Sequence, residues 1–175
     1  MPELVPPTTL VMDSFLEAMD EFVAEGTTDT QTAGWIERFG DSWQTPAGFE
    51  AFVAEIRAQE VDEIAIPAHW VLTSTRWWIE GDTYLGRIAL RQRLNEKLAD
   101  VGGHIGYDVR PSARRCGHAS GMLRAVLPLA HSFGIDPALV TCDDDNVASI
   151  RVIEGAGGVL EDVRGIKRRY WVPTA

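Results

Sequence analysis

From Val109 to Gly121 the chain reads Val-Arg-Pro-Ser-Ala-Arg-Arg-Cys-Gly-His-Ala-Ser-Gly, small residues and arginines where a strand gives way to a helix. The first four N–H groups of a helix lack partners inside it and carry the positive end of its dipole, so they bind phosphate oxygens. Gly117, Ala119 and Gly121 leave room for a diphosphate to approach the backbone, while Arg114 and Arg115 add charge and planar donors. The chemistry predicted here is the grip of a pyrophosphate. Neither G-x-x-x-x-G-K-[ST] nor G-x-G-x-x-G occurs at the site. The run Gly155-Ala156-Gly157-Gly158 follows a helix rather than a strand and reads as a helix stop.

Such a loop needs a strand before it and a helix after it. Residues 103–109 read as a strand ended by Arg110-Pro111, because proline cannot donate to a ladder. In residues 119–133, Met122, Val126, Leu129, Ala130 and Phe133 share one helical face, Gly134 is the stop, and Pro128 predicts a kink. Upstream, residues 70–79 and 83–90 form a hairpin around Glu80-Gly81-Asp82, on which Trp77 and Trp78 leave opposite faces. Downstream come a buried strand at 138–142, a helix at 146–156 and a closing antiparallel pair, 159–164 and 166–172. Two amphipathic helices, 11–25 and 47–59, open the chain, with a turn-rich stretch at 27–46 between them. The order α-α-β-β-β-α-β-α-β-β, without repeat or linker, predicts one α/β (α+β) domain over 1–175. Its helical acidic part is 1–67 and its core 68–175.

The chain has 175 residues, with 16 Lys+Arg against 26 Asp+Glu and a net charge of −10. That charge repels nucleic-acid phosphates and anionic bilayers, so neither is expected as a partner. No apolar run approaches the roughly 20 residues of a membrane span, and the start Met1-Pro2-Glu3 is acidic where a secretory signal is basic; a cytoplasmic protein is expected. Cys116 and Cys142 lack metal-site spacing and read as reduced thiols. His69, His118 and His131 share no metal-ligand spacing, and Asp143-Asp144-Asp145 reads as a solvated loop, so no metal is expected. Residues 1–67 carry fourteen acids and two bases, a net of −12, while the remainder is slightly basic. This is either a solvated helical surface or an acidic wall facing a cationic substrate, with the basic part holding an anionic cofactor.

Arg114-x-x-Gly117-x-Ala119 resembles the [Q/R]-x-x-G-x-[G/A] loop of GNAT-type N-acetyltransferases. Val109-Arg110-Pro111 before it, the helix opening Asn146-Val147-Ala148-Ser149 and the later Gly-Gly fit the same family over roughly residues 73–172. The resemblance implies a mixed, mostly antiparallel central sheet flanked by helices, with acetyl-CoA as cosubstrate. It implies that the backbone of Val109 and the side chain of Asn146 meet the pantetheine arm, and that Arg114, Arg115, Cys116, Gly117, His118 and Ala119 embrace the diphosphate. Asn146 reads independently as a helix N-cap.

The implied reaction is direct attack of a primary amine, on a small molecule, a peptide N-terminus or a lysine, within a ternary complex. The position seven residues after the helix-opening Asn, often Tyr in the family, is Ile153 here. Tyr107 and Tyr170 are substitutes by type, with Tyr170 taken as the candidate acid. His104, at the start of the strand that leads to the loop, is the candidate base. A catalytically silent acyl-CoA-binding sensor or interaction module is the alternative that Ile153 leaves open. An edge strand and the tryptophans are compatible with a homodimer.

Overall fold

Adjacent residues of a strand face opposite ways, and Trp77 and Trp78 seed the two sides of the structure accordingly. The computed structural model describes residues 1–175, the side chain of Ala65 apart. Its strands are β1 (Glu3–Val5), β2 (Thr73–Glu80), β3 (Thr83–Arg91), β4 (Ile105–Val109), β5 (Ala138–Asp143), β6 (Val159–Arg164) and β7 (Lys167–Val172). They form one sheet in the order β1-β2-β3-β4-β5-β7-β6. Neighbours are antiparallel except β4 and β5, which run parallel and share a single pairing, Ile105 with Val140. The helices are α1 (Met12–Glu25), α2 (Gln31–Phe39), α3 (Pro46–Ala58), α4 (Glu96–Asp100), α5 (His118–Ser132) and α6 (Val147–Gly155). No helix of the described residues is long and apolar enough to cross a membrane.

Trp77 is fully buried in an aromatic core under α1 and α3, stacked on Phe15 at 5.0 Å and edge-on to Tyr84 at 5.4 Å. Trp78 joins the other core, where Ile88, Leu90 and Ile105 meet Met122, Leu123 and Val126 of α5. One face of the sheet thus carries the N-terminal helices and the other carries α5 and α6. The mixed, mostly antiparallel sheet agrees with the expected architecture.

Three elements lie where the sequence pattern suggested turns or nothing. Within 27–46, α2 is capped by Thr30, whose hydroxyl accepts from the Ala33 N–H at 3.1 Å, and it buries Thr32 and Trp35. β1 is three residues long and extends the sheet by pairing Val5 with Trp77. α4 is a single capped turn, its Leu98 N–H donating to Asn95 Oδ1 at 2.9 Å. The expected interruption at Pro128 does not occur: α5 runs through it. Pro128 is exposed, so the bond it withholds costs little burial.

Candidate cofactor site and acceptor cleft

β4 and β5 part directly after Ile105 and Val140. From Gly106 to Val109, β4 pairs with β3 alone, leaving a wedge-shaped gap edged by unpaired backbone amides. An extended ligand bearing amides of its own can enter such a gap as a short extra strand.

At the mouth of the gap, Pro111–Ala113 turns the chain into the loop before α5. Arg115 (φ 64°) and Gly117 (φ 82°) both adopt the left-handed conformation, curling the backbone into a concave nest. Gly117 is the N-cap of α5 and makes no side-chain cap. Among the described residues, the N–H groups of residues 115–120 find no acceptor. A Cβ at Gly117 would meet nothing within 4 Å, so the nest opens outward. Orphaned donors in an open concavity fit the diphosphate of CoA.

The loop residues do not all act alike. Arg114 is engaged: its Nη1 and Nη2 donate to the Glu25 carboxylate at 2.6 and 3.0 Å, and its Nε to the Val109 carbonyl at 3.2 Å. Arg115 and Cys116 are exposed, with Cys116 as a free thiol. His118 turns toward the sheet, where its Nδ1 accepts from Trp78 Nε1 at 3.1 Å and fixes the start of α5. Gly121 needs correction: a Cβ there would lie 2.9 Å from the Trp78 ring, so this glycine serves packing rather than diphosphate approach.

The carboxylates of α1 hold this loop from the other side. Glu21 accepts from Arg110 Nε at 2.7 Å and from the Ser112 N–H and hydroxyl, each at 2.9 Å. Burial raises the Glu21 carboxyl, but the Ser112 and Arg110 donors outweigh it and leave it below the usual range. A diphosphate in the nest would have to compete with Glu25 for Arg114. Because the Glu25–Arg114 pair is half-exposed, such a contact contributes no more than about 1 kcal/mol. Glu25→Gln is expected to bind CoA about two- to fivefold more tightly in a calorimetric titration.

Asn146 caps α6, its Oδ1 accepting from the Ser149 N–H at 3.0 Å, which leaves its amide donor free. Tyr107, on the α6 side of β4, buries its hydroxyl near Ser149 and Cys142 without a hydrogen-bond partner. Burial pushes it up to about 12, so the phenol is protonated at neutral pH.

The two candidate catalytic residues lie elsewhere. Tyr170 is buried on β7, donating to Glu154 Oε1 at 3.2 Å near the end of α6. His104 lies just before β4 at the closed end of the wedge. Its Nδ1 accepts from the Leu139 N–H at 2.9 Å and its backbone N–H donates to Leu139 O at 2.7 Å, tying β4 to β5. Burial, with Arg91 nearby, pushes it down to about 4. The unfolded chain protonates this group near the ordinary value of about 6.5. Its contribution to stability is therefore complete above that pH and is lost as pH falls toward 4. Urea midpoints at pH 7 and pH 5 are expected to differ less in His104→Gln than in the parent.

On the other face of the sheet, α2 is fastened to β3 and β4 through a buried polar cluster. Arg87 pairs with Asp108 through Nη2, and its Nη1 donates to Gln31 Oε1 at 2.6 Å. Thr32 Oγ1 donates to the same Asp108 oxygen at 2.8 Å and accepts from Arg87 Nε at 3.3 Å. Beside this fastening lies a cavity of about 660 Å³ under α2, with Trp35, Gln59, Thr73 and Arg91 in its lining. The acids of the first 67 residues are not gathered there. Glu17, Glu21 and Glu25 face the cofactor loop, Glu55 and Glu60 pair with Arg38 and Arg76, and exposed Asp29 and Glu37 reach the cavity. The sequence pattern did not single out Arg87 of the fastening or Arg91 of the cavity, although the two share strand parity opposite Ile88 and Leu90.

Residues 11–159 match the acetyltransferase (GNAT) domain family model. No curated protein sequence matches the chain. Several solved structures share the fold. The PaiA N-acetyltransferase of Thermoplasma acidophilum, in complex with coenzyme A, is 12% identical, with 99% of each chain covered and a TM-score of 0.59. MccE, a microcin self-immunity acetyltransferase with acetyl-CoA and AMP, is 11% identical, with 98% of this chain and 92% of that one covered and a TM-score of 0.65. RimL, an α-N-protein acetyltransferase of a ribosomal protein, in complex with coenzyme A, is 14% identical, with 99% and 95% covered and a TM-score of 0.64. The chain belongs to the GNAT acetyltransferase family. The domain that matches over residues 11–159 is that of an acetyltransferase.

Proposed function

We propose that the protein transfers an acetyl group from acetyl-CoA to a primary amine bound in the cleft beneath α2. The observation that carries this is the parting of β4 from β5 above an uncapped, outward-facing helix N-terminus. The N–H groups of 115–119 and the Arg115 side chain hold the diphosphate, and the free edge of β4 up to Val109, with the Asn146 amide, receives the pantetheine arm. Acetyl-CoA supplies a thioester carbonyl open to attack by a neutral amine.

The protein's own groups orient this encounter and place protons. Tyr107, protonated and without a partner, is a proton donor at the wall of the wedge. It takes the part assigned by type to Tyr170, and it supports turnover despite Ile153. His104 is already occupied by Leu139, so the proton lost by the amine leaves through water in the open cleft. Proximity within one ternary complex provides most of the acceleration, since the amine attacks the thioester directly, displacing the CoA thiolate, and no acyl-enzyme intermediate is needed.

The test is incubation with acetyl-CoA and a panel of primary amines, followed by mass spectrometry of the products. Acetylated amine with stoichiometric CoA release is expected. Tight CoA binding without acetyl transfer to any amine would contradict the proposal and favour a silent binding module.

A further inference from the structure

Arg87 and Arg91, on the same face of β3, differ in one respect. Arg87 has its carboxylate in Asp108, whereas no carboxylate of the described residues lies within 4 Å of the Arg91 guanidinium. Arg91 spends Nη1 on two backbone carbonyls, Gly102 O at 3.0 Å and Gly103 O at 3.2 Å. Its Nε and Nη2 hydrogens, the side-on pair of the guanidinium fork, have no acceptor among the described residues. Arg91 is largely removed from bulk water, and burial together with Arg87 lowers it to about 10. A cation so placed costs free energy until an anion meets it.

Its position is equally specific. A Cβ built on Gly106 would lie 3.6 and 3.7 Å from Arg91 Nη1 and Nη2, so the guanidinium lies against β4 at that glycine. Gly106 is one residue past the last pairing of β4 with β5, where the wedge opens. The free edge of β4 extends three residues beyond it, about 10 Å at strand spacing. Arg91 also lines the cavity beneath α2, together with Trp35, Gln59, Thr73 and Asn95.

Resting on the acetyltransferase reading above, we infer that the acceptor carries a carboxylate within about 10 Å of its amine, an amino acid or a short amino acid derivative. The carboxylate pairs side-on with Arg91, and the amine then lies against the parted strands. Guanidinium and carboxylate match as a planar two-bond pair, which orients the acceptor as well as holding it. This replaces the cationic acceptor suggested by the charge of residues 1–67, whose acids reach the cavity only at Asp29 and Glu37.

The experiment compares free amino acids with their carboxamides as acceptors, each at saturating acetyl-CoA. Carboxamides have the less basic amines, so amine reactivity alone favours them at neutral pH. For the parent protein, kcat/KM is expected to be about tenfold or more higher for the acids. Arg91→Met is expected to bring that ratio close to one through the acceptor KM while the KM for acetyl-CoA stays unchanged, and Arg91→Lys to restore part of it. Amides used as well as acids by the parent, or a folded Arg91→Met that keeps the preference, would overturn the inference. If Arg91→Met does not fold, the acid-to-amide ratio of the parent decides alone. Transfer only to amines without a carboxylate overturns this inference and leaves the acetyltransferase reading intact. Absence of transfer to any amine removes both.

Discussion

Gly117→Glu is expected to bind CoA at least about 100-fold more weakly than the parent, abolishing the thermal stabilisation that CoA provides. Two effects act together. Gly117 holds φ at 82°, where an L side chain costs about 1–2 kcal/mol. A carboxylate there projects into the open nest and offers itself to the N–H groups of 115–120, so the diphosphate meets negative charge on donors already taken. Gly117→Ala carries the backbone cost without the charge and separates the two. At 100 times its dissociation constant, a ligand stabilises a fold by about 2.7 kcal/mol. For a domain of this size that raises Tm by about 5–10 °C. The shift is expected in the parent, reduced in Gly117→Ala and lost in Gly117→Glu. A full CoA shift in Gly117→Glu would place the diphosphate elsewhere.

The second large effect concerns the fastening of α2. Arg87 is 4% and Asp108 14% exposed in their side chains. Arg87→Met leaves the Asp108 carboxylate buried with the Thr32 hydroxyl as its remaining donor. Breaking a buried pair from one side costs about 3–5 kcal/mol, and Tm is expected to fall by about 10 °C. The double change Arg87→Met with Asp108→Leu removes both charges and is expected to recover most of the loss. A double variant as unstable as the single one would mean that shape, not charge, fastens α2. Because α2 roofs the cavity, any residual activity of Arg87→Met is expected to show a raised acceptor KM with the acetyl-CoA KM little changed.

The sequence was legible where one segment carried its own signal. Helix α5 announces itself through Met122, Val126 and Ala130 on one face, and the nest through Arg114, Gly117 and Ala119 at their spacing. The β2–β3 hairpin follows from its turn, and the opposite fates of Trp77 and Trp78 follow from strand parity. What escaped depends on distant partners. Helix α2 contains Gly34 and follows a Thr-rich stretch, and its stability comes from burying Trp35 and from the contact of Thr32 with Asp108, 76 residues away. His104 and Tyr170 were candidates by side-chain type, and only the tertiary structure shows that Leu139 and Glu154 already occupy them. Arg91 escaped too: its place opposite Ile88 and Leu90 follows from strand parity, but the lack of a counter-ion is a property of three dimensions. The acidity of α1 was equally plain, yet its target, the arginines flanking the cofactor loop, was not.

The nest before α5 and the wedge between β4 and β5 are expected to hold acetyl-CoA together. Isothermal titration of the folded protein with acetyl-CoA, with CoA and with ADP as a diphosphate control tests it most directly. Dissociation constants in the micromolar range are expected for both CoA species, with ADP much weaker because it cannot enter the wedge. No heat of binding from either CoA species would rule out this site and leave the loop as no more than the start of a helix.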